Sequence, residues 1–128
     1  MRLNNNIMII NFSSPHSFEF ITGEVLPARD EDWVKKMSLD ITEAESKREE
    51  TLSGQNKSWT DIELTIKIPE KVKAVIDQLR DDNRIDIVLV PFMMLQAMKD
   101  ANLNIDKFRT IRVADRISKK IYSDRFCK

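Results

Sequence analysis

Glycine is nearly absent from this chain. Gly23 and Gly54 are the only two in 128 residues, and neither a Walker loop nor a GxGxxG turn can be written with them. Both loops need glycine where the backbone turns sharply or comes close to a phosphate, so the two commonest phosphate cradles are excluded. Cysteine and histidine are scarcer still. Cys127 and His16 each stand alone, so neither an intrachain disulfide nor a Cys-based or His-rich metal cage can be assembled. No stretch approaches the roughly 20 apolar residues that span a bilayer. The apolar run at residues 7–10 is too short for a secretion signal and lacks a small-residue cleavage site. Net charge is missing as well: 21 basic residues balance 21 acidic ones, which argues against a body that is one polyanion-binding surface. A reducing, cytoplasmic setting is expected, with no membrane partner.

What is present is an ordinary globular composition, 41% apolar and 33% charged, over a length that suits a single domain spanning residues 1–128. Met8 offers a second start site, which would make residues 1–7 extraneous to the fold. The run at residues 7–12 and the alternating residues 17–22, split by Ser13-Ser14-Pro15-His16, predict a β-hairpin. Asp30 is placed to cap a short helical turn carrying Trp33 and Val34. Met37, Leu39 and Ile41 alternate with polar residues as in a strand. Ile62, Leu64, Ile66 and Ile68 give the cleanest period-two signal in the chain, one face apolar and one wet.

From Pro69 the period changes. Val72, Val75, Ile76 and Leu79 repeat at helical spacing behind a proline whose missing N–H costs nothing at a helix start, and Asp81-Asp82-Asn83 stops the run. Residues 84–90 read as a buried strand. Pro91 opens a second helix, rich in methionine and apolar nearly all round, which suits either core packing or an oligomer interface. Phe108, Ile111 and Val113 suggest another strand. Ala114, Ile117 and Ile121 then line one side of an expected terminal helix. The fold class that follows is α/β or α+β: a mixed sheet with N-terminal hairpins and a C-terminal β-α-β-α-β-α half.

Two segments stand out from the core pattern. Residues 43–57 hold almost nothing apolar besides Leu52, and predict a mobile or partner-binding loop, or a frayed hairpin tip, carrying Lys47, Arg48, Glu49 and Glu50. Residues 107–128 hold eight basic side chains against two acidic, leaving thirteen against nineteen in the rest, so a segregated charge hides under the neutral total. On the expected helix, Arg112, Arg116, Lys119 and Lys120 would face outward, followed by Arg125. Such a face suits an acidic protein surface, a second copy of the chain, or phosphates. For nucleic acid the interleaved aromatics are few: only Phe108, Tyr122 and Phe126 lie near, and no KH-type GXXG is present.

Chemistry-bearing motifs are otherwise absent. His16 sits among serines too close in sequence to reach a catalytic geometry, and Cys127 lies at a chain end. Asp30, Glu31, Asp32, Glu43, Glu45, Asp81 and Asp82 do not match the EF-hand spacing, since Asp81-Asp82-Asn83 is not followed by the required glycine; no metal and no cofactor are expected. The expected function is a small non-enzymatic interaction protein, of the kind that viruses and mobile elements encode as inhibitors or adaptors of a host protein machine. A nucleic-acid binder using residues 107–128 is the first alternative. A small carboxylate- or metal-dependent hydrolase is the second, because paired carboxylates carry no sequence signature.

Overall fold

The computed structural model describes residues 1–128. In chain order its elements are β1 (Ile9–Asn11), β2 (Phe18–Glu19), β3 (Val25–Leu26), α1 (Glu31–Lys35), β4 (Asp40–Leu52), β5 (Gln55–Lys67), α2 (Glu70–Asp81), β6 (Ile87–Leu89), α3 (Phe92–Asp100), β7 (Phe108–Asp115) and β8 (Lys120–Cys127). The central sheet runs β1-β6-β7-β8. Its first two pairings are parallel and the last antiparallel, so the sheet is mixed, as the alternation of strand and helix implies.

Side chains alternate across β6 and divide the interior in two. Val88 and Val90 face a larger cluster, where Val72, Ile76 and Leu79 of α2 and Met94, Leu95 and Met98 of α3 pack with Phe12 and Phe108. Leu89 faces a smaller cluster with Leu3, Ile9, Phe20, Leu26 and Ile121. Leu3 is buried to 3% exposure, so residues 1–7 are integral to the packing rather than extraneous to it. Asn11 ties the surrounding loops to β1. Its buried amide donates to the carbonyls of Ser14 and Pro27 and accepts from the backbone N–H of Ser13 and Ser14, which uses both donors and both lone pairs.

Three sequence expectations are corrected. Residues 7–12 and 17–22 do not form a hairpin: β1 pairs with β6, and β2 pairs with β3 across a turn at Gly23, whose φ of 89° suits glycine. The preference of β1 for β6 follows from burial, since Ile9 and Ile10 can cover both faces of the sheet only as part of it. At 43–57 the hairpin alternative holds and the loop does not: these residues are the outer part of a long hairpin, β4 paired with β5 from Asp40↔Lys67 to Leu52↔Gln55. The terminal helix does not form either. Residues 114–121 make the end of β7, a turn and the start of β8, because Ile121 is drawn into the smaller cluster while Ile117 stays 96% exposed in the turn. The methionine-rich helix is mainly core: Met94, Leu95, Ala97 and Met98 are buried, while Phe92 and Met93 are exposed.

The packing predicts a sharp contrast in stability. Ile76→Ala and Leu3→Ala are each expected to cost about 2–5 kcal/mol, the usual range for emptying a packed site. Leu52→Ala, near the hairpin tip, is expected to stay within about 0.5 kcal/mol of the wild type. Guanidinium unfolding of the three variants checks both figures.

Candidate functional site

Strands β4 and β5 are 13 residues each, so the ribbon they form is about 40 Å long. Every residue of it is exposed except Ile66, which is half-buried against the larger cluster. Only 23 of the 128 residues are buried, and none belongs to the ribbon. No third strand pairs with either of its long edges.

A two-residue turn closes the ribbon. Ser53 and Gly54 have φ of 54° and 75°, so both central residues take the left-handed conformation that matches the twist of the flanking strands. Directly opposed residues share a face, and the register separates two characters. One face carries Ile41, Ile62, Leu64 and Ile66 toward the base, with Glu43 opposite Leu64 and Glu45 opposite Ile62. Farther out on that face come Lys47, Thr60, Glu49 and Ser58. The other face is held by polar contacts: Arg48 Nε donates to Asp61 Oδ2 at 3.1 Å, and Trp59 Nε1 to Asp61 Oδ1 at 2.8 Å. Over residues 40–67 seven acidic side chains meet four basic ones, so the ribbon is an acidic element.

The second projecting element is the β7–β8 hairpin. Asp115 organises its turn, accepting the Ile117 N–H at 2.9 Å and the Ser118 hydroxyl at 2.6 Å. The Ser118 hydroxyl and the Ile117 amide hold the Asp115 carboxyl below the usual carboxylate range. Lys119 takes the left-handed conformation at φ 58°. The turn thereby presents Ile117 between Arg116 and Lys119.

The predicted basic residues fall on this hairpin, though not on one helical face. Arg112 is exposed on β7, and Arg116 and Lys119 flank the tip. Lys120 approaches Glu19 at 3.7 Å, and Arg125 lies over the Tyr122 ring at 5.0 Å. Lys47, Arg48, Glu49 and Glu50 alternate between the two faces of β4 instead of sharing a loop. The alternation of Ile62 and Leu64 is legible in the sequence, but their exposure is not: the apolar face of the ribbon has no cover.

A groove of about 640 Å³ lies beside β1 and the C-terminal end of α2. Trp33, Leu79, Asp30, Asp82 and Arg84 are among its lining residues, and Trp33 stacks on Phe12 with ring centroids 6.1 Å apart. Both acids already have local partners. Asp30 caps α1 by accepting the Asp32 N–H. Asp82 is held by the Arg84 guanidinium at 2.8–3.0 Å, which lowers its pKa to about 2. A carboxyl that loses its proton so easily is a poor proton carrier near neutral pH. His16 is exposed, and the Ser14 hydroxyl donates to its backbone carbonyl rather than to its imidazole. No three of the histidine, cysteine and acidic side chains converge as metal ligands.

The depressed Asp82 carboxyl makes a pH prediction. Because its folded pKa lies below the ordinary value of about 3.9, the stabilisation is fully present above that value. It is lost as pH falls through about 2. The stability gap between wild type and Asp82→Asn should therefore be widest near neutrality and close as pH drops from 4 toward 2, which urea unfolding at stepped pH would measure. Compared with protein-family models, curated proteins and solved structures, the chain matches none.

Proposed function

We propose that this chain is a small non-enzymatic interaction protein, an inhibitor or adaptor in kind, that works by presenting the β4–β5 ribbon to a protein partner. The observation that carries the reading is the ribbon itself, about a fifth of the chain held away from the core with an apolar row left open. A two-stranded ribbon is marginal alone in water, and burying its apolar face against a partner stabilises both. The chemistry of the face defines the partner's: an apolar strip for Ile41, Ile62 and Leu64, rimmed by basic side chains for Glu43 and Glu45.

A photo-crosslinking residue in place of Glu45 tests the reading in cells of the source organism. One protein product is expected, and it should disappear when Ile62→Lys and Leu64→Lys are added. A probe at Ala74, on the exposed side of α2, should give no such product. Equal crosslinking with and without the lysine substitutions would overturn the reading.

The β7–β8 hairpin supports a second reading, contact with nucleic acid. An isoleucine 96% exposed between cations fits a surface that is polyanionic outside and stacked inside. On that reading, replacing both Arg116 and Lys119 with alanine lowers the salt slope of duplex binding by about 2, since each phosphate contact contributes roughly 0.9. Fluorescence anisotropy over a salt series measures it; binding that salt does not change would exclude this reading.

A further inference from the structure

The two long edges of the ribbon differ. Strand β4 carries Glu43, Glu45, Lys47, Arg48, Glu49 and Glu50 in close succession, the dense charge that guards an edge against strand addition. Strand β5 carries only Lys57, Asp61, Glu63 and Lys67, with Ile62, Leu64 and Ile66 between them. Its outer edge is therefore the one open to another strand.

Self-pairing of β5 about a twofold axis can be examined register by register, because each residue then faces its mirror position across the axis. Centred on Asp61, Ile62 or Glu63, the pairing sets carboxylate against carboxylate. Centred on Trp59 or Thr60, it sets Ile62 against Asn56 or Ser58. Centred on Thr65, Glu63 meets Lys67 and Leu64 meets Ile66, but the next pair would need Ile68, which is buried in the larger cluster. Centred on Leu64, the conflicts disappear without calling on a buried residue. Leu64 meets Leu64 of the second copy, Ile62 meets Ile66, Glu63 meets Thr65, and Asp61 meets Lys67. Asp61 already accepts from Arg48 and Trp59, and a carboxylate has lone pairs left for a third donor.

We infer that the chain self-associates through the outer edge of β5, in the antiparallel register centred on Leu64, joining two ribbons into one four-stranded sheet. The pairing uses residues 61–67 of each copy, satisfies their unpaired backbone groups, and lays the apolar rows of both ribbons side by side on one face. It does not rest on the partner-binding reading, which concerns a face of the ribbon and not its edge; both use Ile62 and Leu64, and Lys67→Asp, on the opposite face, tests the edge alone.

Sedimentation velocity over a concentration series is the first test, and a monomer–dimer equilibrium is expected. Lys67→Asp alone sets Asp against Asp61 at two symmetric positions and should weaken association by roughly tenfold or more. Asp61→Lys alone should do the same with lysines. Mixing the two variants pairs acid with base at both positions and should restore the dimer, now mixed. Far-UV circular dichroism of each variant shows that its ribbon persists.

Cysteine crosslinking fixes the register. In a Cys127→Ser background, Leu64→Cys should oxidise to a covalent dimer, since directly opposed strand residues lie within disulfide reach. Glu63→Cys and Thr65→Cys should crosslink when mixed and not singly. A chain that stays monomeric at every concentration would overturn the inference. So would a dimer indifferent to both charge reversals, or one whose crosslinks form at other pairs.

Discussion

Strand β6 is hydrogen-bonded along both edges and buried on both faces, and the rest of the structure answers to that double demand. Val88 and Leu89, both with no exposed surface, point to opposite sides of the sheet. Each side then needs its own cover. Helices α2 and α3 supply one, through Val72, Ile76, Leu79, Met94 and Met98. The N-terminal residues and the β2–β3 turn supply the other, through Leu3, Phe20 and Leu26. The same demand brings β1 to β6 from far away in sequence. A chain that satisfied local preference alone would have folded residues 7–22 on themselves.

Once these covers are in place the core is complete, and beyond Ile66 the ribbon has nothing left to bury against. Its stability is therefore local: the Ser53-Gly54 turn, the ladder to β4, and the Arg48–Asp61–Trp59 contacts that stiffen one face. Exposed ion pairs of this kind contribute little each. The ribbon is thus held in shape by many weak contacts, and its apolar row of Ile41, Ile62 and Leu64 is unopposed within the chain. That combination separates the ribbon from the core. The core sets folding, and the ribbon's exposed surface is free of that constraint.

The helices were legible because their apolar spacing, their prolines and their stop residues all agree: Pro69 and Pro91 start α2 and α3, and Asp82 ends α2. Period two was equally clear at Ile62, Leu64 and Ile66. The ribbon's extent was not, because β4 from Glu43 outward is charged on both faces and shows no alternation of polarity. The Ser-Gly step between Leu52 and Gln55 was the available sign of a two-residue turn. The terminal hairpin was misread for a different reason. Ala114, Ile117 and Ile121 fall at helical spacing by coincidence, and only tertiary packing reveals that Ile121 is core while Ile117 is not. The hydrogen bonds from Ser118 and the Ile117 amide to Asp115 turn the chain at that point.

The charge segregation seen in the sequence takes on a different meaning in three dimensions. It does not make a single basic face on a helix. It gives two exposed hairpins of opposite sign, an acidic ribbon with an apolar row along its base and a basic hairpin with one apolar residue at its tip. In each, a short turn fixed by backbone geometry holds the exposed hydrophobe in place. Interior burial cannot account for these apolar residues, since neither Leu64 nor Ile117 packs into a cluster. Leu64 stands among mainly acidic neighbours, and Ile117 lies between Arg116 and Lys119 in a turn held by Asp115, so each exposed apolar residue has its own charged surroundings.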